Sequence, residues 1–423
     1  MRFLVLTILL LLPSFLSQGQ PTSGYIAEDD VYVDYVKSIK FHIVGLPLSM
    51  PIIDLSSSSF LEFSFDDLSD NVNDYSYTII HCDSDWQPSN LNEMEYIDGF
   101  TEADIENYEF GYNTFTPFTH YNLYLPNEDL RFTKSGNYVL LVYDDDTDAP
   151  IITRRFCVVE PQMSINSIMT PTSNVSKSRT HQELDFTVIH RGINVRNPQS
   201  EIKATVVQNG NWQTAKTGLS PLFTRPEEMR FDYQDKIVFP ALNEYRNLDL
   251  RSFQYRTENV LEIQDEGRSY NIILKLDGKR EFEPYSFIKD LNGGFVIENN
   301  HFDDFDLESD YGNIVFTLDC IRPFRNAEVY IVGGMTDWKL REENRMTFNE
   351  TYYAYMGDIF LKQGFYNYLY AVVDKTTGHI AYKNTEGSWF NTENNYTILV
   401  YYRPFGERYD RLVAVSTINS FQN

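Results

Sequence analysis

The chain has 423 residues, about three domains' worth, with 15% aromatic residues and a formal net charge of −26. Such an acidic chain lacks the basic surfaces that nucleic acids and anionic membranes attract, so we exclude both as direct partners. Its cysteines, Cys82, Cys157 and Cys320, are too few for a disulfide framework in a chain of this length. We expect buried free thiols, with a Cys82–Cys157 disulfide as the alternative.

Residues 1–19 are typical of a secretory signal peptide. Arg2 precedes an apolar stretch that ends at Leu16, and Ser17 and Gly19 supply the small residues of a cleavage site. The stretch is shorter than the ~20 residues that a membrane-spanning helix needs, and no Cys follows it for a lipid anchor. The sequence therefore predicts an exported, soluble protein that does not insert directly into a membrane.

Residues 23–161 are predicted to form an N-terminal β-sandwich. In "FLEFSFDDL", apolar residues alternate with polar ones, which is typical of a strand with one buried face. "GNYVLLVYDDD" is apolar on both faces, as a central strand would be, and "ITRRFCVVEP" follows at hairpin distance. Short strands broken by Asn, Asp, Gly and Pro favour a sandwich of immunoglobulin-like type.

Two further sandwiches are predicted, a middle one over residues 162–292 and a C-terminal one over residues 293–423. In the middle region Asn209-Gly210 predicts a hairpin, Asp277-Gly278 a turn, and "VFPALNEYRNLDLRSFQYR" has room for one helical turn. The C-terminal region has five predicted strands, with "KQG" linking two: "NIVFTLD", "AEVYIVGG", "YYAYMGDIFL", "FYNYLYAVVD" and "YTILVYYR". The fold class is therefore all-β, with serial β-sandwiches.

The segment "TIIHCDSDWQPSN" places a His, a Cys, two Asp and a Trp within a few positions. In a strand, His81 and Cys82 point to opposite faces and do not ligate one metal together. A site of His81, Asp83 and Asp85 would require an extended Asp-Ser-Asp, a composition that prefers to turn. We therefore predict a core Cys82, Asp side chains that cap the turn, and Trp86 at the edge of the sandwich, with no metal.

Other motifs of catalysis or cofactor binding do not occur in the sequence. The acidic runs Asp144–Asp148 and Asp303–Asp310 lack the Gly and Glu positions of an EF-hand loop, so we interpret them as solvated loops. Neither a zinc-protease, a nucleophile-elbow, a phosphate-loop nor a dinucleotide-binding signature is present. We predict no catalytic residue, no cofactor and no enzyme activity, although sequence alone does not show which carboxylates lie close together.

Long segments spread over nearly the whole mature chain carry a family resemblance. The most specific are "TIIHCDSDWQPSNL", "EYIDGF", "IENYEFGYNTFTPFTHYNLYLPNEDLRFTKSGNYVLLVYDDD", "TRRFCVVE", "FPALNEYRNLDLRSF", "LKQGFYNYLYAVV" and "YTILVYYRPFGERYDRLVAV". They resemble the type IX secretion system plug protein family of Bacteroidota. The resemblance implies a non-enzymatic periplasmic protein, monomeric when free. Such a protein binds the outer-membrane β-barrel translocon and closes its periplasmic opening while no cargo is engaged.

The C-terminal region carries a second resemblance, to the early-set sandwiches that bind glycogen and starch. "VYIVGGMTDWKL" followed by "GFYNYLYAVVD" is similar to those modules, and Trp338 matches the first of their two sugar-stacking tryptophans. At the second position this chain has Lys375 and Thr376. The alternative function is therefore a periplasmic or surface glycan-binding or accessory protein. As candidate partner-binding residues we name Asp83, Asp85, Trp86 and Trp338.

Overall fold

A computed structural model describes residues 25–69 and 71–421 of the chain. The predicted signal peptide at residues 1–19 lies outside the described residues. Strands make up 48% of the structure and helices 5%, which confirms the all-β prediction. Within the described ranges, no helix has the length and apolar character needed to cross a membrane.

The N-terminal region contains twelve strands and one short helix. They are β1 (Asp30–Val31), β2 (Val36–Ile43), β3 (Ile52–Asp54), β4 (Leu61–Asp67), β5 (Tyr75–Cys82), α1 (Glu93–Tyr96), β6 (Ile97–Gly99), β7 (Glu102–Asp104), β8 (Tyr108–Phe110), β9 (Thr119–Leu125), β10 (Leu130–Phe132), β11 (Gly136–Asp144) and β12 (Pro150–Val159). One main sheet has the order β1-β12-β11-β5-β7, with β3 beside β12, and the other has the order β2-β4-β9-β8, while β6 and β10 form a separate two-stranded sheet. A single apolar core fills the space between the two main sheets, so these strands form a β-sandwich.

The alternation that predicts β4 accounts for its place in this core. Leu61, Phe63 and Phe65 are fully buried, and Phe65 stacks on Tyr121 of the neighbouring β9. The predicted hairpin of β11 and β12 is also present, with Tyr138 opposite Phe156. Both β11 and β12 are buried along nearly their whole length, as expected for apolar residues on both faces.

The rest of the chain contains the following elements. They are β13 (Ser164–Pro171), β14 (His181–Ile189), α2 (Pro198–Glu201), β15 (Ile202–Gln208), β16 (Asn211–Leu219), β17 (Phe223–Arg225), β18 (Glu228–Phe231), β19 (Val238–Pro240), β20 (Arg246–Asp249), β21 (Val260–Asp265), β22 (Tyr270–Leu274), β23 (Phe295–Ile297), α3 (Phe305–Glu308), β24 (Tyr311–Asp319), β25 (Ala327–Val332), two 3-10 helices (Gly334–Thr336 and Glu342–Asn344), β26 (Arg345–Asn349), β27 (Ala354–Lys362), β28 (Gly364–Asp374), β29 (Ile380–Ala381), β30 (Asn395–Tyr402) and β31 (Arg411–Asn419).

Strand pairing in the second half of the chain differs from the serial order that the sequence predicts. The middle sandwich combines the sheet β13-β14-β18-β17, with β19 beside β14, and the sheet β16-β15-β30-β31. Its last two strands therefore come from the end of the chain, inside the segment 293–423 assigned to the C-terminal sandwich. Ile398 and Val400 of β30 lie in the same apolar core as Val206 of β15. β30 takes this place because it is apolar on both faces, and both faces are buried here.

The third β-unit lies between β19 and β30 in the chain. Ten strands form it, in the order β20-β28-β25-β26-β27-β24-β22-β21, with β23 and β29 beside β28. One apolar core collects side chains from both halves of this order, including Leu248, Ile314 and Tyr370. Since β20, β21 and β22 belong here, the predicted boundary at residue 292 is displaced to the segment between β19 and β20. The third β-unit is thus an insertion in the middle sandwich.

Local turn predictions have mixed outcomes. Asn209 and Gly210 have φ angles of +51° and +68° and join β15 to β16, which confirms the hairpin. The helical turn in the segment that holds β19 and β20 is absent, and this part of the chain is extended or irregular. The segment directly after Asp277-Gly278 does not form a strand. Residues 275–294 form an irregular strap that leads to β23. The "KQG" segment joins β27 to β28, which are not neighbours in the sheet because β25 and β26 lie between them.

Candidate functional site

The His-Cys-Asp cluster lies where the N-terminal sandwich meets the middle sandwich. His81 and Cys82, at the end of β5, have different surroundings, as the alternation predicts. The His81 Nε2 donates to the carbonyl of Ser135 at 3.1 Å, and its Nδ1 lies 2.8 Å from the Ser89 hydroxyl. Burial lowers the pKa of His81 to about 4 and raises the pKa of Cys82 to about 12. Both side chains are therefore neutral at pH 7 and are packed as structural groups.

The position of the cysteines in the sheet explains why they are free thiols. Asn137 of β11 is opposite both Cys82 of β5 and Cys157 of β12, so one strand separates the two cysteines. Two strand spacings amount to about 10 Å, beyond the reach of a disulfide. The expected free thiols are found, and all three cysteines are buried. Over the described ranges, no three His, Cys, Asp or Glu side chains come together as a metal-binding group.

Asp83 and Trp86 connect the two sandwiches, whereas Asp85 faces solvent. Trp86 is 6% exposed and packs edge-on against Trp212 of β16, with ring centroids 5.0 Å apart. The guanidinium of Arg155 lies 4.7 Å from the Trp86 ring. Asp83 forms an ion pair with Arg403 at 2.7 Å. Asp83 and Trp86, two of the four candidate partner-binding residues, are thus engaged in contacts within the chain.

Trp338, the remaining candidate, lies in the third β-unit just after the 3-10 helix Gly334–Thr336. It is partly buried beside Tyr245, in a left-handed backbone conformation with φ of +52°. The loop after β28 holds Lys375, which pairs with Glu328 at 3.4 Å, and Thr376, which accepts from Asn326 at 2.8 Å. No second aromatic side chain is supplied by these two positions, so the sugar-stacking pair of the glycan-binding modules is incomplete here.

A buried charge pair, which the sequence did not predict, joins the N-terminal sandwich to the third β-unit. Lys362 of β27 is 2.6 Å from Asp66 of β4, and the two side chains are 1% and 0% exposed. Asp66 also accepts from Tyr311 and from His120, each at 2.6 Å. Burial by itself would raise the pKa of Asp66, but Lys362 and His120 outweigh it and lower the pKa to about 2. The available sequence signal is a lysine that ends the apolar strand "YYAYMGDIFLK".

Further ionic contacts surround this pair at the same junction. Lys40 pairs with Asp306 at 2.6 Å, and Asp30 receives Lys339 at 2.9 Å. The backbone N–H groups of Phe115 and Thr116 both donate to the Asp310 carboxylate. Beside these contacts a cleft of about 590 Å³ runs between β2 and β27. Each basic side chain that lines this cleft pairs with a carboxylate across the junction, so the cleft is a seam between two units. These side chains are Lys37, Arg154, Arg341 and Lys362.

A third junction, between the middle sandwich and the third β-unit, is formed by neutral hydrogen bonds and a buried carboxyl. Gln182 of β14 donates to the carbonyl of Phe390 at 2.7 Å, just before the chain returns to β30. Glu244 is fully buried and accepts from Tyr285 of the strap at 2.6 Å and from the backbone of Glu393 at 3.1 Å. Burial raises the pKa of Glu244 to about 7. This carboxyl therefore keeps its proton to a higher pH than a solvent-exposed glutamate does.

The fold is thus an all-β architecture of three β-units with buried junctions, and the candidate cluster is used for internal packing. The family model described as "Type 9 secretion system plug protein 1st domain" matches residues 36–160, which is the N-terminal sandwich. The N-terminal sandwich therefore belongs to the type IX secretion system plug protein family.

Comparison with solved structures supports the fold over most of the chain. The crystal structure of a hypothetical protein from Parabacteroides merdae ATCC 43184 is 33% identical, with a TM-score of 0.89 over 93% of this chain and 99% of that one. The C-terminal domain of the Streptococcus pyogenes antigen I/II-family protein AspA aligns with 91% of this chain and 99% of its own. It is only 8% identical, and its TM-score of 0.17 is too low to indicate a shared fold. No curated protein matches the chain.

Proposed function

We propose that the protein is the periplasmic plug of the type IX secretion system. In this role it binds the periplasmic opening of the outer-membrane β-barrel translocon and closes it while no cargo is engaged. The match of the N-terminal sandwich to the first domain of the plug protein family is the observation that carries the proposal. The protein acts in the periplasm through protein–protein contacts, as a monomer when free, and catalyses no reaction.

The build of the molecule is consistent with obstruction of a pore. A plug needs a body that keeps its shape, because loose domains would leave gaps for solutes. Buried junctions restrain each β-unit here: Trp86 against Trp212, Lys362 with Asp66, and Gln182 with the backbone of Phe390. Interfaces between domains that are small and polar allow relative motion, whereas buried, packed ones oppose it.

The proposal is tested by deleting the gene and measuring two quantities. Uptake of large antibiotics or dyes through the outer membrane should rise in the deletion strain and return to the wild-type level on complementation. Tagged protein should capture the translocon from solubilised outer membranes, whereas an unrelated periplasmic protein with the same tag should not. Failure to capture the barrel, together with unchanged permeability on deletion, would contradict the proposal.

A further inference from the structure

A groove opens on the flank of the N-terminal sandwich, between β7, the last strand of one sheet, and β9 of the other. We call it the flank groove. Its volume is about 390 Å³, within the range typical of ligand sites. Ile105, Leu123 and Tyr77 form its floor and are all buried members of the sandwich core. The groove therefore has an apolar base that is held rigidly by the fold.

Two exposed aromatic side chains line the flank groove. Phe100 is 66% exposed and Tyr124 is 41% exposed. The backbone of Phe100 is fixed, because its N–H donates to the carbonyl of Asp129 at 2.7 Å. Aromatic residues are enriched in protein interfaces, and a pre-ordered aromatic loses little freedom on binding. This pair of rings is suited to receive an apolar part of another protein.

The charge of the flank groove is uniformly negative. Its lining includes four carboxylates, those of Glu102, Asp104, Glu106 and Asp129, and no Lys or Arg. None of the four takes part in an ion pair within the described ranges, in contrast to Asp30, Asp66 and Asp83 at the junctions. The chain has no Lys or Arg between Lys40 and Arg131 with which to neutralise them. These four negative charges are therefore available to a positively charged partner.

We propose that the flank groove docks the protein on the translocon by receiving a Lys- or Arg-bearing segment of its periplasmic rim. The inference rests on the proposed plug function and deepens it by assigning the contact surface. A long basic side chain fits both features of the groove, because its alkyl stem packs on apolar and aromatic surface while its charged end reaches the carboxylates. An arginine also stacks on aromatic faces.

The test compares groove variants with matched controls in the full chain. The groove variants are Glu106→Lys with Asp129→Lys, and separately Phe100→Ala. The controls are Glu258→Lys with Glu266→Lys, which changes the net charge equally at exposed positions of the third β-unit, and Phe282→Ala, an 89% exposed aromatic. Unchanged unfolding midpoints show that each variant is folded. Capture of the translocon from solubilised outer membranes is then titrated at low and high salt.

We expect the groove variants to weaken capture by about tenfold, and the charge variant to flatten the salt dependence, while the controls stay within about twofold. Groove variants that bind like wild type, from membranes in which wild type captures the barrel, would overturn the assignment and leave the plug function standing. If the groove variants instead abolish a dimer seen by sedimentation and leave capture unchanged, a second copy is the occupant and the inference is refuted. If wild type captures no barrel, the inference is refuted, and if deletion also leaves permeability unchanged, the plug function fails with it.

Discussion

Replacement of Lys362 by Met should destabilise the protein by about 3 kcal/mol. The change keeps most of the side-chain volume but leaves the buried carboxylate of Asp66 without its cation. Loss of one partner of a buried ion pair costs about 3–5 kcal/mol, because the remaining charge is desolvated and uncompensated. Asp66 would still accept from Tyr311 and His120, each at 2.6 Å, which places the expectation at the lower end of that range.

Urea unfolding followed by tryptophan fluorescence and by circular dichroism measures the effect, and two probes are needed because several β-units are present. Lys37→Met is the matched control, since Lys37 pairs with Glu343 at 3.3 Å at the same junction but is only partly buried, beside an exposed carboxylate. We expect it to cost under about 1 kcal/mol. Adding Asp66→Asn to Lys362→Met should restore at least half of the loss, because the orphan charge is removed. A Lys362→Met protein as stable as the control, or a double variant no better than the single one, would refute the reasoning.

Three further predictions concern the other junction residues and Trp338. Between about pH 4.5 and about pH 8, titration of Glu244 should lower the free energy of unfolding by about 3 kcal/mol, because its folded pKa of about 7 lies above its usual 4.5 and the folded state binds the extra proton. Urea titrations at several pH values measure this contribution, and Glu244→Gln should remove it. Trp86→Ala should lower the free energy of unfolding by about 3 kcal/mol through lost packing on Trp212. Phe405→Ala, at a 90% exposed position, is the control and should leave the urea midpoint unchanged. Equal midpoints for both variants would contradict the junction role of Trp86. Affinity electrophoresis in starch or glycogen gels should show no retardation, since Lys375 and Thr376 occupy the second stacking position; retardation that Trp338→Ala abolishes in a folded protein would contradict this.

Local features of the fold were accessible from the sequence because they depend on neighbouring residues. The period-two pattern of β4 and the Asn209-Gly210 turn each follow from the geometry of a few consecutive positions. Pairing of β15 with β30 was not accessible, since periodicity shows that a strand has apolar faces but not which distant strand covers them. The buried ion pair of Asp66 could not be predicted for a related reason. In the sequence, a carboxylate at the end of an alternating strand has the pattern of a solvent-facing residue, and only the fold places Lys362 beside it.

The insertion of the third β-unit into the middle sandwich bears on how a plug would withstand force. A unit at the end of a chain is held by one covalent connection, whereas this one is held by two, after β19 and before β30. Both connections enter strands of the middle sandwich, and the third β-unit is also clamped to the N-terminal sandwich by Asp66 and Lys362. Movement of the third β-unit away from the body would therefore have to break a buried ion pair and strain two chain segments at once. Under the proposed function, release from the translocon should then occur at the contact surface, where single interactions are weak and exchangeable, rather than by opening within the plug.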